Sequence, residues 1–253
     1  MIKKRLIFTL LFDSGKFVLS RNFSLQHVGD LDWLLRNYDF KNITSHIDEL
    51  IILNIREKNK NFEKFCSILK KLSKEIFIPI SAGGGIISEE KVNKILRSGA
   101  DKIVCNSIIR KNKGMLKRIS KIIGKQSIIG SLDLKLIDNN FFVFDNNSLS
   151  PEQSLDDFLK DLDTDLFGEL YLNSVDRDGT GQGYMIEMVQ KFKKLNNFPI
   201  IIAGGAGNWR HLLSGLKNKD INAVSTANLL NFIGDGFKQA RVELTKRFDL
   251  PKW

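Results

Sequence analysis

One aspartate and two glycine-rich turns hold most of the chemistry legible in this 253-residue chain. Asp133 ends the apolar run Ser127-Ile-Ile-Gly-Ser-Leu-Asp. A carboxylate there can exchange a proton with a ligand above the strand, or be simply the polar residue that ends it. Gly83-Gly84-Gly85 follows another apolar run, with Asn106-Ser107 one strand later. Gly204-Gly205-Ala206-Gly207 repeats the arrangement, followed by Ala227-Asn228. Glycines at a strand end let backbone N–H groups approach a phosphate, and a following helix N-terminus adds its dipole. Two such cradles suit a ligand with a phosphate at each end.

These residues need a frame that sets strand ends side by side. Eight short runs rich in Ile, Val, Leu and Phe supply it: Arg5–Leu11, Glu49–Asn54, Phe77–Ala82, Lys102–Asn106, Ser127–Asp133, Gly168–Asn173, Phe198–Ala203 and Ala223–Ala227. Amphipathic stretches such as Glu89-Glu-Lys-Val-Asn-Lys-Ile-Leu-Arg separate them. Apolar strands alternating with helices predict a parallel sheet covered by helices, and eight of them predict an α/β fold closed as a (β/α)8 TIM barrel. Ala82-Gly-Gly recurs as Ala203-Gly-Gly and Asp48-Glu-Leu as Gly168-Glu-Leu, a period of about 120 residues. Two half-barrels joined end to end explain it. With no Pro/Gly/Ser-rich linker between them, residues 1–253 read as a single barrel domain.

Composition excludes several classes. No apolar run reaches the roughly 18 residues of a bilayer span, and the basic Met1–Arg5 leads into a strand, not a signal peptide. Cys66 and Cys105 form no paired framework, which suits a reducing cytosol and a cytoplasmic protein. His27, His46 and His211 lack metal-ligand spacing, so no metal or redox cofactor is indicated. Much of the net charge of +10 sits in the run from Arg110 to Lys125, which reads as the solvated face of a helix. Without interleaved aromatics it gives no nucleic-acid signature; an acidic protein partner or a phosphorylated substrate explains the charge as well. Trp209 either packs on the barrel or faces a partner.

The string Leu172-Asn-Ser-Val-Asp-Arg-Asp-Gly-Thr-Gly-Gln-Gly-Tyr184 resembles the motif after the sixth strand of HisF-type cyclase subunits of imidazole glycerol phosphate synthase. Ala82-Gly-Gly-Gly-Ile86, Gly99-Ala-Asp-Lys102 and Pro199–Gly207 extend the likeness over nearly the whole chain. The resemblance implies a glutaminase docked at the N-terminal face and ammonia passing up the barrel to a bisphosphorylated ribonucleotide. It places phosphate contacts at Gly84, Gly85, Asn106, Ser107, Asp178, Gly179, Gly204, Gly205, Ala227 and Asn228. Of the family's two catalytic aspartates, Asp133 matches the one on strand five. Leu11 stands where the other belongs, so the pair is incomplete. Asp13, two residues on, could substitute, although Asp13-Ser-Gly also reads as a plain turn. Leu19, Asn54, Asn173 and Ala203 replace further polar residues of the family's site.

At the bottom of the barrel the family's charged ring is complete: Arg5, Glu49, Lys102 and Glu169 match its ammonia gate, and Asp101 matches a residue at the glutaminase interface. The same four charges would also serve as a structural plug. Leu10-Leu11 and Leu172-Asn173-Ser174 are most similar to the WbuZ-type second HisF paralogues of acetamidino-sugar loci. That likeness implies an ammonia-delivering subunit working with a HisH-type glutaminase and a sugar amidotransferase in surface-glycan biosynthesis. The alternatives are a true cyclase of histidine biosynthesis and a noncatalytic scaffold that activates the glutaminase. An activity of the barrel's own stays open, because leucine cannot move a proton.

Overall fold

The computed structural model describes residues 3–37, 43–55, 62–192, 195, 198–227 and 236–251. In chain order these form β1 (Arg5–Asp13), β2 (Lys16–Arg21), β3 (Ser24–Gly29), α1 (Leu31–Asn37), β4 (Glu49–Asn54), α2 (Phe62–Glu75), β5 (Ile80–Gly83), α3 (Glu89–Arg97) and β6 (Lys102–Cys105). There follow α4 (Ser107–Lys111), α5 (Lys113–Ile123), β7 (Ile128–Ile137), β8 (Asn140–Asp145), β9 (Ser150–Ser154), α6 (Leu155–Lys160) and β10 (Glu169–Ser174). Last come α7 (Glu187–Gln190), β11 (Ile200–Ala203), α8 (Trp209–Lys217), β12 (Ala223–Thr226) and α9 (Gly236–Thr245).

Eight of these strands pair in parallel around a closed ring, β1-β4-β5-β6-β7-β10-β11-β12, with β12 returning to β1. The architecture is a (β/α)8 barrel. Strand residues alternate between two cores, as the period of two demands. Ile7, Ile51, Val104, Ile129, Tyr171 and Ile201 fill the barrel, while Leu6, Phe8, Leu50 and Ile52 join the layer beneath the helices. Local signals start the helices. Ser88 caps α3 by accepting from the Lys91 N–H, with Glu89 and Glu90 in the first turn. Asn208 caps α8 in the same way, and Trp209 packs partly buried against the outer core.

Two features correct the sequence reading. Four further strands form antiparallel hairpins, β2–β3 after β1 and β8–β9 after β7, at matching places in the two halves. Their tight turns place Ser14-Gly15 and Asp138-Asn139 at positive φ, as two-residue hairpin turns require. The basic run is also not one solvated helix. It breaks at Asn112, which caps α5, and the Arg110 side chain before it is only 4% exposed.

At the bottom of the barrel, residues just before strands tie neighbouring strands together. Asp48 N–H donates to Leu6 O, and its carboxylate accepts the Leu6 N–H at 2.7 Å. Asp101 does the same with Ile80, and Asn222 with Ile200. The shared device marks the half-barrel repeat independently of the glycine turns.

Candidate functional site

Arg5, Glu49, Lys102 and Glu169 each begin a strand, and the parallel register brings all four onto the barrel axis. Arg5 donates through Nη1 to Glu49 and through Nη2 to Glu169, both at 2.5 Å. Lys102 Nζ donates to Glu169 at 2.6 Å and lies 3.9 Å from Glu49. Alternating signs around the ring are what buried ions require. Burial opposes the charge on Arg5, but the carboxylates of Glu49 and Glu169 outweigh it and hold the guanidinium above its ordinary value. Burial likewise pushes Glu169 up, and Arg5 with Lys102 more than reverses that, leaving it low. Asp101 sits beside this ring as an exposed residue at the foot of β6.

At the other end of the barrel a cavity of about 370 Å³ opens among the strand C-termini. Asp133, 5% exposed, lines it. Three asparagine amides converge on its carboxylate: Asn106 at 2.8 Å, Asn146 at 2.6 Å and Asn173 at 2.7 Å. Burial raises the Asp133 pKa, and the amides and the nearby Arg110 only partly offset it. In the ring of strands β7 lies diametrically across from β1. There Leu11 faces the cavity beside Leu53 and Leu19, so one wall is hydrocarbon and the other amide and carboxylate.

Asp13 does not line this cavity; it opens the β1–β2 turn, where its carboxylate accepts from the Ser14 hydroxyl at 2.8 Å. The turn reading of Asp13-Ser-Gly is the one the structure bears out. Gly84, Gly85, Gly204 and Gly205 line the cavity at positive φ, with Asn106, Ser107 and Ala227 next to them. A side chain on Gly84 would run into Asn54 O, and one on Gly205 into Gly183 O. Both turns therefore need glycine and present bare backbone to the cavity. Asn228 lies outside the described residues. Asp178 and Gly179 reach the cavity too, but the Asp178 carboxylate is engaged by the Ser20 hydroxyl at 2.5 Å and the Phe23 N–H at 3.0 Å. Burial raises its pKa against those two donors. Its evident task is to hold the first hairpin over the rim.

The chain matches the family described as Histidine biosynthesis protein over residues 24–233. It is 42% identical over 256 residues to a Parasynechococcus marenigrum protein provisionally named imidazole glycerol phosphate synthase subunit hisF2, covering 100% of this chain and 95% of the relative. A Leptospira interrogans protein, provisionally named subunit HisF, is 33% identical, with 92% of each chain covered. The chain belongs to the HisF family. Subunit HisF of Flavobacterium johnsoniae is 31% identical over 97% of both chains.

In this HisF-family barrel a lower ring of four paired charges lies beneath an upper cavity lined by Asp133 on one wall and by Leu11, Leu19 and Leu53 on another. Three of its members were not singled out from the sequence. Asn146 rides on the second hairpin, Arg110 hides in a run of surface charge, and Tyr171 spans the barrel interior with its hydroxyl 3.5 Å from Thr9 Oγ1. Only the turn signal of Asp138-Asn139 could have announced the hairpin. Cys105 is core as expected, its thiol pushed up to about 12 by burial, and it also touches the cavity. His211 is half-buried, accepts the Gly207 N–H on Nδ1 at 3.1 Å, and has a pKa lowered by burial. Among the described residues no group of three or more His, Cys, Asp or Glu could hold a metal, and no helix is long and apolar enough to cross a membrane.

Proposed function

We propose that this barrel is the synthase-type subunit of a glutamine amidotransferase complex, taking ammonia from a HisH-type glutaminase and delivering it to an amidation reaction that is not ring closure. The observation that carries the reading is Leu11 in the cavity wall across from Asp133, above a complete charged ring. The ring excludes water and ions. Glu49 Oε2 and Arg5 Nε, buried and without a hydrogen-bond partner among the described residues, offer one acceptor and one donor to a neutral ammonia molecule.

In the cavity, ammonia adding to a carbonyl carbon forms a C–N bond and sends the C=O electron pair to oxygen. That oxygen must gain two protons to leave as water, and the nitrogen must lose two as C=N forms and the C–O bond breaks. Asp133 can handle one of these transfers; Leu11 can handle none. Ring closure needs further proton transfers from the strand-one side. The amidation of an N-acetyl sugar to its acetamidino form, completed by a partner sugar amidotransferase, ends at C–N bond formation and loss of water, with no second, ring-forming C–N bond. Leu10-Leu11 and Leu172-Asn173-Ser174 support this acceptor, as does a wall of leucine against which a sugar ring can stack. The two glycine turns and Ser107 are the proposed phosphate contacts.

A cyclase of histidine biosynthesis is the second reading, favoured by Asp133, by the paired glycine turns and by the names of the relatives. Purified barrel, glutaminase and sugar amidotransferase distinguish the two. Glutamine-dependent amidation should require the barrel; equal amidation from free ammonia without it would count against delivery. Rescue of a histidine auxotroph lacking its own cyclase subunit would favour the second reading.

A further inference from the structure

Arg110 makes the links that set the position of Asp133. Its Nη2 donates to Asn106 Oδ1 at 3.2 Å, and Asn106 Nδ2 donates to Asp133 at 2.8 Å. An asparagine side chain can present either its oxygen or its nitrogen to a carboxylate, and a guanidinium on the oxygen selects the productive one. The same Nη2 donates to Asp145 Oδ1 at 3.2 Å, while Nη1 donates to Glu152. Asp145 ends β8 and Glu152 lies in β9, so Arg110 ties the second hairpin to α4. Asn146, the next residue after Asp145, is the second amide on Asp133. One buried guanidinium thus contacts one of the three amides directly and the residue next to a second; the third, Asn173, lies on β10.

We infer that Arg110 is the positioning residue for Asp133, acting through Asn106 and through the Asp145–Asn146 corner of the second hairpin. Nothing in the surface-charge pattern explains why it should be buried. Lys111, beside it, pairs with Asp145 at 2.9 Å and Glu152 at 3.1 Å while half exposed, so the hairpin already has a cationic partner at the surface. What Arg110 adds is a planar fork reaching three acceptors at once, which a lysine cannot supply. The titratable side chains lining the cavity around Asp133, among the described residues, are Arg110, Asp145, Asp178, Tyr171 and Cys105. Of these only Arg110 is a cation.

The inference deepens the reading of Asp133 as the proton-handling group, yet its test reads the carboxyl directly and is independent of any amidation. The full chain carrying 13Cγ-labelled aspartate is titrated by NMR, with Asp133 assigned through Asp133→Asn. Arg110→Met should raise the Asp133 midpoint by about one pH unit or more. Arg110→Lys should fail to restore it, because the charge returns without the fork. A midpoint unmoved in Arg110→Met, or fully restored by lysine, would overturn the positioning role. Should both Arg110 variants unfold, Asn106→Ala gives the decision: it removes one link with Arg110 in place. It should raise the midpoint, and no change would refute the relay. Failure of glutamine-dependent amidation alongside the predicted titration would count against the function and leave this inference standing.

Discussion

Leu11 and Asp133 occupy corresponding positions in the two half-barrels, Leu11 level with Leu53 of β4 and Asp133 level with Asn173 of β10, and both face one cavity. A duplicated scaffold has kept the carboxylate in one half and holds hydrocarbon in the other. The strand-one position itself therefore holds no side chain that can transfer a proton. Replacing Asp133 with Asn keeps the shape and removes the carboxylate that the barrel strand β7 places in the cavity. Glutamine-dependent product formation should fall at least about 100-fold, with glutaminase binding unchanged by titration calorimetry.

The ring at the foot of the barrel is the second point of test. Arg5→Ala leaves Glu49 and Glu169 facing each other with only Lys102 between them. Loss of one partner from a buried ion network costs about 3–5 kcal/mol; the ring side chains are 8–23% exposed, so the lower end is expected by denaturant unfolding. Ammonia leakage from the complex should rise while glutaminase docking persists. Unchanged leakage would make the ring a plug.

Acid should loosen the same ring. The folded-state pKa of Glu169 lies below its ordinary value because Arg5 and Lys102 outweigh the burial that opposes them. A lowered carboxylate contributes stability that is present above its unfolded pKa, about 4.3, and is lost as pH falls through the folded value. Thermal melting should show a decline beginning below about pH 4.5, reduced in Glu169→Gln.

The glycine turns offer a third handle. Gly84 at φ 109° and Gly205 at φ 102° adopt backbone that side chains rarely enter, and each has a carbonyl where a Cβ would go. Gly84→Ala or Gly205→Ala should cost about 1–3 kcal/mol and weaken binding of a phosphate ester to the cavity. Isothermal titration with glycerol phosphate reads the second effect; undiminished affinity in both variants would remove the turns from ligand binding.

The sequence exposes the barrel because its signals are repetitive: residues 50–53 and 103–105 are apolar on both faces, as buried parallel strands must be. The charged ring was legible only through the resemblance to HisF-type subunits; that each member begins a strand is a finding of the structure. The hairpins were not. Asn22 and Phe23 sit at positive φ only because Asp178, far along the chain, accepts the Phe23 N–H on its carboxylate and the Asn22 N–H on its carbonyl. Arg110 was hidden for the opposite reason. Five more Lys or Arg residues follow it before Gly124, and local composition cannot show which cation turns inward to meet Asp145.

The most direct measurement mixes the purified barrel with a HisH-type glutaminase, glutamine and the bisphosphorylated ribonucleotide that HisF cyclases close. Chromatography then follows the imidazole product. The account predicts glutamate release with no ring product above the uncatalysed background. Formation of imidazole glycerol phosphate at the rate of a HisF subunit carrying both aspartates would contradict it.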